Sequence, residues 1–204
     1  MSVNVVCRSA AGASLVPADS LLMEKRILTL NGIVDSQCVS NLVQQIAILA
    51  QKSDAPILIM INSLGGNVQD GLVLLDLMTS SSIPIYTLCL GACYSMAALI
   101  LSAGKKGYRW TSEHSRIMIH EPLLGNGVGG SCTSIQAIAR SIASCKDMTN
   151  GILAKNTGRT IEEIEEATSY DHFFSAKEAM EFGLVDGTLS GDALMRVLKG
   201  DFQL

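Results

Sequence analysis

A serine, a histidine and an aspartate stand in three separate segments of the chain, two of them directly after apolar runs. Ser95 lies in Gly91-Ala92-Cys93-Tyr94-Ser95-Met96-Ala97-Ala98, straight after the apolar run Ile83 to Leu90. His120 closes Arg116-Ile117-Met118-Ile119-His120 and is followed by Glu121-Pro122, while Asp171 stands in Tyr170-Asp171-His172-Phe173-Phe174-Ser175. A hydroxyl nucleophile, an imidazole that takes its proton and a carboxylate that holds the imidazole are the parts of an acyl-transfer triad. A turn between a buried strand and a helix start suits the serine, because a helix N-terminus stabilises a developing anion. Gly65-Gly66 gives backbone N–H groups close access to a ligand, or makes a tight turn.

Each residue also has a plainer reading. Ser95 can cap the helix that follows it, and Ala97 stands where a G-x-S-x-G elbow needs its second glycine. His120 can be a satisfied histidine at a strand end. Its competitors are weaker: His114 sits in the polar turn Thr111 to Ser115, and His172 next to Asp171 points the opposite way on an extended segment. Asp171 can cap a turn, but a carboxylate beside Phe173 and Phe174 calls for a partner, and an imidazole N–H would serve.

The elements that must position these groups alternate between strand and helix. Arg26 to Leu30 reads as a short strand. Val39, Leu42, Val43, Ile46 and Leu49 recur at helical spacing, so Ser36 to Gln51 is an amphipathic helix. Ile57 to Ile61 is a continuously apolar strand, as expected when both faces are covered. Ser63-Leu64-Gly65-Gly66 reads as a turn before a helix holding Val68, Leu72, Leu75 and Met78, which ends at Ser80-Ser81-Ser82. Ile83 to Leu90 is the next strand, and a helix from Ser95 to Leu101 closes at Gly104. After His120 comes a glycine-rich strand, Leu123 to Gly130, and then a long helix over Thr133 to Asn156. Thr160 with Glu163 and Ser175 with Glu178 are capping boxes opening two more helices; Gly183 stops the second, and Leu184-Val185 adds a strand. The order predicts an α/β fold with parallel strands, whose functional groups lie beyond the carboxyl ends of the strands. Asn62 to Gly66, Gly91 to Ser95 and His120 all occupy such positions.

Bulk properties narrow the classes. The 204 residues fit one domain. Hydrophobic residues make up 48% and charged ones 17%, with a mean hydropathy of +0.33. No run has the length of a membrane span, so the apolar surplus points to subunit surfaces buried in an oligomer. A net charge of −4 with no basic run argues against nucleic acid and anionic membranes as partners. The segment Met1 to Ala18 has no continuous apolar core of a signal peptide. The six cysteines form no C-x-x-C pair, so no metal is expected, and reduced thiols point to the cytoplasm.

Together these segments resemble the proteolytic-subunit family of the Clp protease, ClpP. The resemblance runs from about Leu22 to Leu189. It rests on Ile61-Asn62-Ser63-Leu64-Gly65-Gly66, Ser95-Met96, Met118-Ile119-His120-Glu121-Pro122-Leu123, Asp171-His172-Phe173-Phe174-Ser175-Ala176 and Gly183-Leu184-Val185-Asp186. It implies the crotonase-like ββα superhelix with a protruding strand–helix handle at 123–156. It also implies two stacked heptameric rings around a proteolytic chamber, with residues 1–21 an N-terminal segment at the axial gate and 22–204 a single catalytic domain. It places the nucleophile on Ser95, the base on His120, the acid on Asp171 and the oxyanion-hole amides on Gly66 and Met96. It implies no cofactor for the peptide chemistry; ATP would be used by a separate AAA+ unfoldase, since the chain has no G-x-x-x-x-G-K-[ST] loop.

The chain departs from the family pattern in places. Leu64 replaces a usual proline, Cys93 and Tyr94 replace small residues, and Ser169-Tyr170 replaces an acid–arginine pair that helps join the rings. Leu58, Met60 and Ser80 replace aromatics of the ATPase docking groove. These departures motivate a rival reading, a specialised paralogue that assembles with a second ClpP-type subunit. A second rival is an acyl-CoA-processing enzyme on the crotonase scaffold, which would need oxyanion amides but no Ser-His-Asp set.

Overall fold

Apolar runs fold as strands and 3.6-periodic segments as helices in the computed structural model, which describes residues 3–9, 12–125 and 127–202. Positions 1, 2, 10 and 11 of the N-terminal segment, Asn126 of the glycine-rich stretch and residues 203–204 lie outside the described residues. A hairpin of β1 (Asn4–Ser9) and β2 (Gly12–Pro17) leads into α1 (Ala18–Glu24). Then β3 (Ile27–Val34), α2 (Ser36–Lys52), β4 (Ile57–Gly66), α3 (Val68–Ser80), β5 (Ile85–Tyr94) and α4 (Met96–Ser102) alternate. The chain continues through β6 (Arg109–Ser112), β7 (Arg116–Ile119), α5 (Cys132–Thr157), α6 (Ile161–Thr168), β8 (His172–Phe174), α7 (Ala176–Phe182), β9 (Gly187–Leu189) and α8 (Gly191–Leu198). This is the mixed α/β architecture of the crotonase-like class.

The main sheet runs β3-β4-β5-β6-β9, all parallel, and β7 pairs with β5 while β8 pairs antiparallel with β7. Both faces of its central strands are covered. Leu30, Ile59, Ile61 and Cys89 pack under the layer of α2, α3 and α4. Ile27, Leu58, Leu88 and Trp110 pack on the other face, against Leu22 of α1 and Leu194 and Leu198 of α8. That is why the strand segments carry unbroken apolar runs rather than alternation. Helix starts follow local chemistry: the Asp35 carboxylate accepts from Cys38 N at 2.8 Å, and both capping boxes form.

Several expectations are corrected. Ser63 to Gly66 is not a turn but the continuation of β4, made possible by a register shift between Ile61 and Ser63. The third strand begins at Ile85 and runs on to Tyr94, because Pro84 lacks a donor for the ladder. Leu184 and Val185 are buried but unpaired; the strand lies at Gly187–Leu189, after Asp186 N has bonded to Arg109 O. By contrast, α4 does close at Gly104, which follows the C-cap Ala103 and donates its N–H to Leu101 O at 3.3 Å; it is small because a Cβ there would lie 2.3 Å from Thr87 Oγ1. The glycine-rich stretch after Pro122 forms no strand among its described residues, and no described strand pairs with it. Only the helical half of the expected handle is regular.

Candidate active site

Chain direction brings the three segments to one place. β5 and β7 run parallel, with Tyr94 opposite Met118, so their carboxyl ends coincide and Ser95 lies beside His120. β8 runs antiparallel to β7 with Ile119 opposite His172, so the residue before β8, Asp171, meets the residue after β7. His120 Nε2 lies 2.8 Å from Ser95 Oγ, and His120 Nδ1 lies 3.1 Å from Asp171 Oδ1. With the proton on Nδ1, the imidazole donates to Asp171 and accepts from the Ser95 hydroxyl. The imidazole is largely enclosed, at 15% side-chain exposure, whereas Asp171 is 61% exposed.

Ser95 does not cap α4. It occupies the cap position but its side chain makes no capping bond, and its backbone takes φ 54° and ψ −124°. A positive φ is uncommon for a residue with a Cβ. The turn is held because Ser95 N donates to Met118 O at 2.8 Å, which ties it to the histidine strand. A strained strand-to-helix turn that exposes a serine hydroxyl is thus reached without the second glycine of the elbow motif. Met96, at the first helical position, has a buried side chain.

Gly65 and Gly66 do different things. A Cβ on Gly65 would lie 2.7 Å from Tyr94 O, 2.8 Å from Ser95 Cβ and 3.1 Å from Met96 N, so β4 passes in contact with the serine turn. A Cβ on Gly66 would lie 2.2 Å from Val34 O, so this glycine faces β3. Gly65 and the Met96 amide therefore lie beside Ser95, with Gly66 the next residue along β4. Gly65 N itself donates to Ser63 Oγ at 3.0 Å.

The other histidines stand elsewhere. His114 is exposed, and the His172 ring stacks on Phe174 at 4.2 Å between centroids. The nearest alternative nucleophile, Cys93, is fully buried, and burial pushes its thiol well above the ordinary range. Beyond His120 the chain is anchored: Glu121 N donates to Thr168 O at 2.9 Å, and Lys146 pairs with the Glu121 carboxylate at 2.7 Å. One neighbour went unassigned in the sequence. Tyr94 meets Phe173 edge-on at 5.5 Å, a pairing that register places on one row with Met118 but that spacing along the chain does not reveal. Among the described residues no group of three or more His, Cys, Asp or Glu could hold a metal ion, and no helix is long and apolar enough to cross a membrane.

Compared with models of known families, the chain matches that of the Clp protease over residues 11–192, well over half of its length.

Proposed function

Because the chain belongs to the Clp protease family, and is by that membership a ClpP-type peptidase, we propose that it is a serine endopeptidase subunit acting through Ser95, His120 and Asp171. The observation that carries the reading is the His120 ring, which bridges Ser95 Oγ and Asp171 Oδ1. In this mechanism Ser95 Oγ attacks the scissile carbonyl carbon while His120 Nε2 takes its proton. The amides of Gly66 and Met96 receive the oxyanion. His120 then protonates the leaving amine, and water, deprotonated by the same imidazole, releases the acyl group from Ser95. Asp171 holds the imidazole in the tautomer this needs.

We further propose that the chain works in the cytoplasm as part of stacked heptameric rings, with itself or with a second ClpP-type subunit, on unfolded proteins delivered by an AAA+ unfoldase. Large apolar side chains left exposed on one chain, among them Leu123, Leu124, Ile135 and Met148, support burial against other subunits. The exposure of Asp171 supports it too, since an orienting carboxylate acts more strongly when water is excluded.

The test is active-serine labelling with a fluorophosphonate, located by mass spectrometry, alongside hydrolysis of a short peptide and particle mass by light scattering. Labelling should fall on Ser95 and vanish in Ser95→Ala. The double variant Ser95→Ala, His120→Ala should hydrolyse peptide scarcely more slowly than either single one, because triad members act as a unit. Labelling at another residue, or multiplicative losses in the double variant, would refute the assignment; a monomeric mass would refute the assembly.

A further inference from the structure

The geometry points to Ser115 as a positioning residue: its buried hydroxyl sets the register between the strand that presents Ser95 and the strand that presents His120. This rests on the peptidase reading of the site. β5 changes partner along its length, pairing with β6 through Thr87–Cys89 and with β7 through Ala92–Tyr94. At the changeover it is irregular. Ile61 of β4 faces Cys89 and Ser63 faces Cys93, so β5 spends four residues where β4 spends two, and the extra length forms a bulge at Leu90-Gly91-Ala92. A bulge leaves backbone groups without ladder partners and re-aims the residues beyond it. Here those residues lead directly to Ser95.

Ser115 stands at the head of β7 and is 2% exposed. Its hydroxyl donates to Cys89 O at 3.1 Å and accepts from Gly91 N at 3.0 Å, closing the bulge across its base. Ser112 Oγ lies 2.6 Å away and supplies the remaining donor. From the far side, exposed Asn62 accepts from Ala92 N through Oδ1 at 3.2 Å. One hydroxyl thus fastens β5 to β7 at the end opposite the reacting groups. From that point the two strands run in step to Ser95 N and Met118 O, 2.8 Å apart. A slip of one residue would shift the strands by about 3.3 Å, more than the whole Ser95–His120 hydrogen bond. No pattern in the sequence marks Ser115; it is one polar residue in a polar turn.

The experiment measures the second-order rate at which diisopropyl fluorophosphate phosphorylates Ser95 with loss of fluoride, well below the melting temperature. This small probe makes few binding contacts, so its rate reports the alignment of nucleophile and base. Ser115→Ala should slow labelling by about 10- to 100-fold, and Ser115→Thr, which keeps the hydroxyl, should restore most of it. Ser102→Ala is the matched control. Ser102 is as deeply buried, at 1% exposure, and bonds Leu99 O and Asn156 at the other end of α4, so its loss should lower the melting temperature and leave the labelling rate alone. A Ser115→Ala protein that labels at the wild-type rate would overturn the inference. So would a rate loss no larger than that of Ser102→Ala. Should Ser115→Ala not fold, Asn62→Ala decides, since it removes only the exposed clamp: slowed labelling supports the register role and a wild-type rate overturns it. A wild-type chain that is not labelled at Ser95 at all would instead sink the peptidase reading on which this rests.

Discussion

Replacing Asp186 by asparagine should unfold the protein more easily by several kcal/mol, and the loss should depend on pH. Arg109 is 1% exposed, the largest fully buried side chain. Asp186 Oδ2 accepts from Arg109 Nε at 2.8 Å and Oδ1 from Nη2 at 2.6 Å, while Oδ2 also accepts the Gly107 and Arg109 amides at 2.7 and 3.1 Å. The remaining guanidinium nitrogen donates to Ser102 O at the end of α4 and to Asn156 O near the end of α5. The pair therefore joins β6, α4, α5 and the segment entering β9. Taking away the carboxylate leaves a buried cation unpaired, which costs about 3–5 kcal/mol. For a chain of this length that corresponds to a fall of roughly 6–20 °C in melting temperature. Burial pushes the Asp186 carboxyl up, but the Arg109 guanidinium and the two amides outweigh it and hold the group below its ordinary range. A carboxylate depressed in the folded state contributes stability that is fully present above its unfolded pKa, about 3.9, and is lost as pH falls through the lower folded value. The gap between wild type and Asp186→Asn should thus be constant above about pH 5 and close below about pH 4. Denaturant midpoints at fixed protein concentration would measure it. The apolar double variant Arg109→Met, Asp186→Leu should be less damaged than Asp186→Asn alone, since desolvation is then avoided for both groups. A variant within about 0.5 kcal/mol of wild type, or a gap that widens in acid, would refute this account.

Gly65→Ala should fold but lose about 100-fold or more in peptide hydrolysis, because the new Cβ at φ +93° would press on Tyr94 O and Ser95 Cβ; normal activity would show that β4 does not confine the serine turn. Ser95→Gly and Ser95→Ala both lose the hydroxyl, but only glycine relieves the positive φ, so Ser95→Gly should be the more stable by about 1 kcal/mol; matching denaturation midpoints would mean the turn stores no strain.

Where the sequence was legible, one local rule decided each element. Unbroken apolar runs gave the strands buried on both faces, and a threonine or serine three residues before a glutamate opened α6 and α7. Gly183, in left-handed conformation, closed α7. What stayed hidden depended on residues far apart in the chain. β6 begins on an arginine, which reads as surface until Asp186, 77 residues later, neutralises it in the core. A Gly-Gly pair inside β4 reads as a turn because nothing local announces that Ser95 and Val34 approach it from two sides. Leu184 and Val185 have strand composition, yet they pack in the core with their amides bonded back to Ala179 O of α7 rather than to a ladder. The hairpin β1–β2 leaves Val5, Val6 and Leu15 exposed, so no buried face produced a pattern to read. For the site, residue types and positions at strand ends marked Ser95, His120 and Asp171, whereas the clamp at Ser115 could be seen only once the register was known.

The distances in the site follow from two pairings rather than from any property of the three side chains. A parallel pair aligns two carboxyl ends, which places Ser95 after β5 beside His120 after β7. An antiparallel pair aligns an end with a start, which places His120 against Asp171 before β8. The chain must then turn sharply at Ser95 to enter α4, and the turn needs a positive φ in a residue that has a Cβ. That strain of about 1–3 kcal/mol cannot relax by rotating the residue, because Ser95 N is held by Met118 O and Ser95 Oγ by His120. Both restraints come from the histidine strand and its end. The same strand pairing therefore keeps the turn strained and the hydroxyl aimed, and anything that loosens β7 from β5 should release both together.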